Sequence, residues 1–123
     1  MRDPFDPTDA ELREWASSDE PWPVEDFDLM VADAERVPLL LELTSSRNRD
    51  FFLSCLYLVV GDAVRSRFNT CSCADVESTL EHATATAARD PAIRRWIEES
   101  RRALASPDDF DYEAWCELRT AGS

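Results

Sequence analysis

Cys71 and Cys73, which are separated by one residue, are the only close pair of cysteines in the sequence. A cysteine acts as a nucleophile or redox group as its thiolate, and a helix N-terminus lowers the pKa of a thiol. Cys73 follows Ser72, a residue type that often caps a helix. One hypothesis is therefore a small thiol-dependent enzyme or redox sensor that uses Cys71 and Cys73. The simpler interpretation is two small residues without a chemical role.

A metal site would need more ligands than this cysteine pair, because zinc sites in proteins are usually built from about four. No C-x-x-C spacing occurs, and His82, Cys116 or a carboxylate would have to complete the set. We therefore expect no metal and no cofactor. His82 is the only histidine and is predicted on the solvent side of its helix, without an evident nucleophile as partner.

Paired carboxylates are the remaining candidates for catalysis, since the chain has 26 acidic residues. Glycosidase-like chemistry needs two acids in a cleft with shifted pKa values. Asp50 and Asp62 flank the most apolar segment and are predicted to be partly buried, paired with Arg49, Arg65 or Arg67 or capping neighbouring helices. A small helical protein offers no obvious deep cleft, so the sequence predicts no catalytic residue.

The composition excludes several classes of enzyme. The chain has no lysine, so it has no Walker-type phosphate loop, Schiff-base lysine or pyridoxal chemistry. It has only Gly61 and Gly122, so no glycine-rich loop can bind a phosphate. The longest apolar run, from Phe51 to Val60, is about half a membrane span, and the acidic N-terminus does not resemble a secretory signal. We expect a cytoplasmic protein.

The strongest candidate for partner binding is Trp22, which lies between Pro21 and Pro23 in an acidic stretch. A large aromatic side chain ringed by charge is typical of protein interfaces. The acidic residues around it are Asp19, Glu20, Glu25, Asp26 and Asp28. The alternative is that Trp22 packs on the core and only pins a stiff connector.

The formal net charge of −13 is concentrated at the two ends of the chain. Residues 1–35 hold twelve acids and two arginines (net −10), residues 36–105 are nearly balanced at +1, and residues 106–123 have a net charge of −4. Nucleic acid and anionic membranes should repel such a protein, whereas a basic protein surface should attract it. The alternative is that the acidity only maintains solubility.

Helical patterns recur along the chain, and no window predicts a strand pair. The first half is predicted to hold helices near 9–17 and 24–36, a short leucine helix opened by Pro38, and a long helix over about 48–68 that is apolar all round and therefore central. Thr8 and Glu11 have the spacing of a capping box, and Cys55 is predicted to be core.

The second half is predicted to hold three more helices. One begins after Ser72 and buries Val76, Leu80, Ala83 and Ala87. Asp90-Pro91 starts the next, over about 91–105, with Ile93, Ile97, Ser100 and Leu104 inward. The last covers about 110–121, and residues 121–123 are predicted to be a frayed end.

Two predicted helix pairs, 38–68 and 74–105, look related. The string Asp90-Pro91-Ala92-Ile93-Arg94 resembles the signature that opens the second helix of HEAT repeats, and Pro38-Leu39-Leu40 resembles the start of a first helix. The spacing between equivalent points also fits such repeats. The chain is likewise similar to small helical proteins of actinobacteria, a likeness that implies no activity. HEAT-like proteins are mostly binding scaffolds, and the resemblance implies that role.

The sequence therefore predicts a single all-α domain of six or seven helices. It divides into an acidic N-terminal helix and connector (1–23), a helical-repeat core (24–106) and a C-terminal capping helix (107–123). The predicted function is a non-enzymatic module that binds a basic protein partner, such as an immunity or antitoxin-like adaptor. A thiol-dependent enzyme and a structural subunit of a larger complex are the alternatives.

Overall fold

Seven α-helices and two short 3-10 turns make up the secondary structure in the computed structural model, which describes residues 1–121. The helices are α1 (Asp9–Ala16), α2 (Phe27–Val31), α3 (Val37–Leu43), α4 (Arg49–Arg65), α5 (Cys73–Ala87), α6 (Pro91–Ala105) and α7 (Tyr112–Ala121). No residue in this range lies in a strand, which confirms the all-α class. No helix in the same range has the length and apolarity needed to cross a bilayer. Gly122 and Ser123, from the predicted frayed end at 121–123, lie outside the described residues.

Side-chain caps fix the starts of three helices where the sequence predicts them. The Thr8 hydroxyl accepts a hydrogen bond from the Glu11 backbone N–H (3.2 Å), and the Glu11 carboxylate accepts one from the Thr8 N–H (2.9 Å). Ser72 caps α5 and Asp90 caps α6 in the same way, by accepting from Asp75 N–H (3.1 Å) and Ala92 N–H (3.0 Å). Each cap satisfies a backbone donor that the helix itself leaves unpaired.

Three predicted helix boundaries are wrong. The predicted helix at 24–36 is reduced to the five residues of α2, because the chain becomes extended at Ala32 and Asp33 caps a separate 3-10 turn at Ala34–Arg36. α4 ends at Arg65 rather than near 68, because Arg67 and Phe68 have left-handed φ angles of 54° and 62°. A 3-10 turn at Pro107–Asp109 precedes α7, which starts at Tyr112 rather than near residue 110.

The long helix α4 is the centre of the fold, as its all-round apolar pattern predicts. It packs against α2, α3, α5, α6 and α7. Twelve of its seventeen residues are buried, including Cys55 and the whole run Leu56–Val60. A single apolar cluster around it includes side chains from all seven helices. The predicted helix pairs correspond to α3 with α4 and α5 with α6, and each pair packs together; their likeness to HEAT repeats stays a prediction.

Two tryptophan side chains attach the C-terminal helices to the middle of α4. The indole N–H of Trp96, on α6, donates to the Leu56 carbonyl (2.9 Å), and that of Trp115, on α7, donates to the Tyr57 carbonyl (2.7 Å). Both rings are buried, so each indole N–H needs such an acceptor. The predicted inner face of α6 omitted Trp96, and Leu104, predicted on that face, is only half-buried.

Gly61 lets α7 approach α4 closely. A Cβ atom at this position would lie 2.6 Å from Nε1 and 2.7 Å from Cδ1 of Trp115. Carbon atoms in contact are normally about 3.5–4.0 Å apart, so only glycine leaves room for the indole here. The ring of Trp115 also packs on Tyr57, with centroids 5.2 Å apart.

Polar contacts tie the starts of the central helices to their neighbours. Arg49 makes a two-pronged ion pair with Asp90, at 2.7 and 2.8 Å, which joins the first turn of α4 to the cap of α6. Asn48 donates from its backbone N–H to the Ala16 carbonyl (3.0 Å) and from its amide to the Trp15 carbonyl (2.8 Å). These contacts hold α1, and the connector that follows it, on the core.

Candidate protein-binding surface

The connector around Trp22 packs on a cluster of aromatic rings, which we call the aromatic floor. The indole N–H of the buried Trp15 donates to the Pro21 carbonyl (3.3 Å), which anchors the chain one residue before Trp22. The ring of Trp22 meets Phe51 edge-on, with centroids 5.2 Å apart. Trp22 nevertheless stays 45% exposed. It therefore both pins the connector and presents aromatic surface to solvent.

The floor is a cluster of rings from α1, α2 and α4. Trp15 packs against Phe51 (centroids 4.8 Å apart), Phe27 (5.1 Å) and Phe52 (6.0 Å). Phe27 and Phe52 are fully buried. Because close-packed rings leave little freedom, the surface above them is ordered before any partner arrives.

Four of the five acidic residues predicted around Trp22 are exposed. These are Asp19, Glu20, Glu25 and Asp26, of which Asp19 forms an ion pair with Arg47. The prediction for Asp28 is wrong, because its residue is only 8% exposed and its carboxylate faces the protein interior. Asp28 lies in the first turn of α2, where it pairs with Arg119 of α7.

A cavity of about 190 Å³ lies beside this connector. Its lining comes from three segments: Met1 at the N-terminus, α1 and the following turn, and the connector itself. The lining residues are Met1, Glu11, Glu14, Trp15, Ser18, Glu20 and Pro23. Three of the lining side chains carry carboxylates, and Trp15 contributes little surface because it is only 4% exposed.

Large exposed apolar side chains concentrate in the same part of the chain. Within residues 1–121, those with substantial exposure are Met1 (47%), Phe5 (65%), Trp22 (45%) and Leu29 (51%). All four precede residue 30, in the region with the highest acidic charge. We call the exposed side chains of residues 1–29 the N-terminal acidic surface.

Glu11 is the one carboxylate of the cavity that the fold already uses. Hydrogen bonds from the backbone N–H groups of Thr8 and Arg2 lower its pKa to about 2. It therefore stays ionised at all physiological pH values, and it is occupied as a helix cap.

A partly buried polar network joins α2, α4 and α7 on another side of α4. The guanidinium of Arg119 donates to the Asp28 carboxylate and to the Ser54 hydroxyl. Sequence reasoning missed Ser54 and Arg119, because the partners are 65 and 91 residues apart along the chain. The one indication in the sequence that Arg119 has a specific role was that it is the only basic residue after residue 105.

The two carboxylates predicted at the ends of the central helix differ in burial. Asp62 is half-buried and pairs with Arg65 (3.0 Å), as predicted, and burial raises its pKa. Asp50 is exposed in the first turn of α4, so the prediction of its burial is wrong. The guanidinium carbon of Arg65 also lies 4.2 Å from the ring centre of Tyr112. The pair Asp62–Arg65 thus belongs to an ordinary surface ion-pair and stacking arrangement.

Cys55, Cys71 and Cys73 lie in surroundings that raise the pKa of a thiol. Cys73 does start α5, but burial and the carboxylate of Glu77 raise its pKa, which is opposite in direction to what the hypothesis of a redox thiol requires. Burial, then Asp75 and Asp33, also raise the pKa of Cys71. Cys55 is fully buried in α4, and burial raises its pKa far above the ordinary range.

Neither a histidine site nor a metal cluster emerges from the part of the chain that the structure describes. His82 is exposed on α5, as predicted. No group of three or more histidine, cysteine or acidic side chains in residues 1–121 has the arrangement of a metal site.

No family model, curated protein or solved structure matches the chain.

Proposed function

We propose that this protein is a non-enzymatic binding module whose N-terminal acidic surface binds a basic protein partner. The observation that carries the proposal is the coincidence of two properties in residues 1–29. This region holds the large exposed apolar side chains Met1, Phe5, Trp22 and Leu29, and it lies in the most acidic part of the chain. Apolar anchors with a charged surround are the common anatomy of a protein interface.

The support for Trp22 as the central anchor is its half-exposed, pre-positioned ring. Tryptophan is among the residues that contribute most to binding energy in interfaces. Its edge-on contact with Phe51 and the anchored Pro21 carbonyl hold it in place. A side chain that is already ordered loses little conformational entropy when a partner covers it.

The charge supports a basic protein as the partner. A net charge of −10 over residues 1–35 attracts a basic surface and speeds its association, and it repels nucleic acid and anionic lipid. In this proposal, the helix pairs α3–α4 and α5–α6 form a HEAT-like scaffold that carries the surface. A basic nuclease or toxin masked by an immunity or antitoxin-like adaptor is one partner of this chemistry.

The thiol-dependent enzyme has less support than the binding module. The pKa values of Cys71 and Cys73 are both raised, so their thiols are less ionised near neutral pH than a free cysteine. A structural subunit of a larger complex would use the same exposed apolar side chains. It differs from a binding module for one basic partner in the number of proteins captured and in the salt resistance of the complex.

The test is a capture experiment from extract of the native cells, with the tag at the C-terminus so that the N-terminal acidic surface stays free. The wild type should capture one basic protein at about 0.05 M salt and lose it at about 0.5 M. Trp22→Ala and Glu20→Arg should abolish capture. Glu81→Arg, an equal charge change on the exposed face of α5, should not. Capture that is equal for wild type and Trp22→Ala, or a salt-resistant complex with several proteins, would reject the proposal and favour a structural subunit.

A further inference from the structure

The C-terminal helix α7 contributes one charged side chain that reaches the edge of the N-terminal acidic surface. Arg119 donates to the Asp28 carboxylate, and the other oxygen of that carboxylate accepts from the Leu29 backbone N–H (3.0 Å). Leu29 is the last residue of the surface and is 51% exposed. We propose that Leu29 is a second apolar anchor for the basic partner and that Arg119 is its positioning residue, an inference that rests on the proposed function.

The helix that carries Leu29 is too short to hold its own position. α2 has five residues, the side chain of its N-cap residue Asp26 makes no capping hydrogen bond, and the chain becomes extended at Ala32. A helix of this length is not stable alone, so contacts with the rest of the protein must fix it. Phe27 and Val31 supply two of these contacts, because both are fully buried in the core.

Asp28 supplies a third contact, which is polar. Its side chain is 11% exposed, and its carboxylate joins the Arg119 guanidinium to the Leu29 N–H. The same N–H also donates to the Asp26 carbonyl (3.0 Å). A hydrogen bond between two charged groups is stronger than a neutral one. The bond to Arg119 therefore fixes the rotamer of Asp28, and with it one of the two acceptors of the Leu29 N–H.

The position of Arg119 is in turn fixed by the central helix. Its Nε–H donates to the Ser54 hydroxyl of α4. One turn earlier on α7, the indole of Trp115 donates to a carbonyl of α4 (2.7 Å). The thiol of Cys55, next to Ser54, lies 4.0 Å from the Asp28 carbonyl. The buried middle of α4 thus sets where Arg119 and Asp28 lie, and through them the backbone at the edge of the surface.

Stability alone is a weak reason for an ion pair in this position. The cost of removing both charges from water offsets most of their attraction, and well-packed apolar residues are often as stabilising or more so. An apolar pair at residues 28 and 119 could join α2 to α7 equally well. It could not accept a hydrogen bond from the Leu29 N–H. The polar pair therefore adds a fixed position for Leu29, which packing alone would not supply.

The surroundings of Leu29 indicate which part of the partner would cover it. The exposed acids Glu25 and Asp26 precede Leu29 by four and three residues. An apolar patch flanked by arginine or lysine side chains matches both features, because interfaces combine apolar cores with complementary charge at the rim. An anchor whose backbone is already ordered loses little conformational entropy when the partner covers it.

The first test asks whether Arg119 holds Leu29, and it needs no partner. Backbone order parameters from NMR relaxation are about 0.85 for rigid residues and below about 0.6 for flexible ones. Leu29 should be rigid in the wild type and fall below about 0.6 in Arg119→Met, while Leu56 in the middle of α4 stays rigid in both. If Arg119→Met does not fold, the double variant Asp28→Leu/Arg119→Met, which leaves no buried charge, should show the same loss at Leu29.

The matched control is Arg65→Met, which removes another arginine from the junction of α4 and α7. Arg65 pairs with Asp62 (3.0 Å) and lies over the Tyr112 ring, without a contact to Asp28 among its described interactions. It should leave the order parameter of Leu29 at its wild-type value. A rigid Leu29 in Arg119→Met, or an equal loss in Arg65→Met, would reject Arg119 as the positioning residue.

The second test measures capture of the basic protein from native extract at about 0.05 M salt. Leu29→Ala and Asp28→Leu/Arg119→Met should each bind it at least fivefold more weakly than the wild type, whereas Arg65→Met should bind equally well. The double variant keeps the net charge and should have a urea midpoint no lower than that of the wild type. Weaker capture by an equally stable protein is the result that a merely structural ion pair does not produce.

Three outcomes of the second test would overturn the inference. Wild-type capture by Leu29→Ala would reject Leu29 as an anchor. Wild-type capture by Asp28→Leu/Arg119→Met would reject the need for positioning. A double variant that is both less stable and weaker in capture would assign the ion pair a structural role only.

Failure of this inference and failure of the proposed function are distinguishable. If capture depends on Trp22 but not on Leu29 or Arg119, the binding module stands and the second anchor is rejected. If no basic protein is captured, the proposed function and the anchor role of Leu29 are rejected together. The order parameters then still decide whether Arg119 positions Leu29.

Discussion

Replacing Gly61 by alanine should destabilise the protein, although the same change stabilises most helices. Glycine inside a helix costs about 1 kcal/mol relative to alanine, so helix propensity alone favours Gly61→Ala by about that amount. The new Cβ would lie 2.6 Å from Nε1 of Trp115. It is therefore about 1 Å too close for an ordinary contact.

Trp115 cannot move away from the new Cβ atom without a loss of stability. Overpacking a core costs about 1–3 kcal/mol, and displacing the indole also breaks its hydrogen bond to the Tyr57 carbonyl, worth about 1 kcal/mol. These losses exceed the gain in helix propensity. We expect Gly61→Ala to lower the free energy of unfolding by about 1–3 kcal/mol, measured by urea unfolding followed by circular dichroism.

The effect of Gly61→Ala should depend on whether residue 115 is tryptophan. In a Trp115→Leu variant, the flexible leucine leaves room for the Cβ atom, so Gly61→Ala should become stabilising by up to about 1 kcal/mol. The sign of the effect therefore reverses across the double-mutant cycle. An alanine that stabilises the wild type, or one that costs the same in both backgrounds, would refute the steric explanation.

Three other predictions concern single side chains. Ser100 is fully buried and its hydroxyl has no hydrogen-bond partner among residues 1–121, so Ser100→Ala should raise the free energy of unfolding by about 1 kcal/mol; an unchanged or lower urea midpoint would contradict this. The lowered pKa of Glu11, about 2 against an ordinary 4.5, implies a stabilisation that is complete above about pH 5 and is lost as the pH falls towards 2. The difference in melting temperature between wild type and Glu11→Gln should therefore be constant near neutral pH, shrink as the pH falls from about 5 towards 2, and vanish only below the folded-state pKa of about 2; a difference that does not shrink over this range would contradict it. Cys71 and Cys73 should react with iodoacetamide at pH 8 more slowly than free cysteine, because their pKa values are raised, whereas Cys55 should react only after unfolding; faster reaction at Cys73 would revive the thiol hypothesis.

The parts of the fold that follow local rules were predictable from the sequence. The capping residues Thr8, Ser72 and Asp90 act within three residues of themselves, so their effect can be read from spacing alone. The burial of α4 follows from its composition, because a helix without a polar face must be covered on all sides. The exposure of His82 follows from its helical phase in the same way.

The errors arose where distant residues decide the outcome. Trp96 lies at helical spacing from Ile93 and Ser100, so its burial could have been predicted from the phase of α6 and was overlooked. Its acceptor, a carbonyl 40 residues away, and the arginine 91 residues from Asp28 could not be found from helical phase. The predicted helix at 24–36 had the right apolar spacing over Phe27 and Val31, but the chain leaves the helix at Ala32. On the candidate surface, the sequence left open whether Trp22 is exposed, because that depends on how the connector packs on Phe51. The cavity likewise depends on how three segments meet.

The attachment of Trp96 and Trp115 to adjacent carbonyls of α4 has a consequence for synthesis on the ribosome. The chain emerges N-terminus first, so α4 is made before the two helices that cover it. Until α6 and α7 follow, the apolar flank of α4 beneath them stays open to water and to other nascent chains. A nascent chain of which only the first 66 to 90 residues have left the ribosomal exit tunnel should therefore expose a strong binding site for chaperones. A chain with α6 and α7 also outside the tunnel should not, because both indoles are then in place.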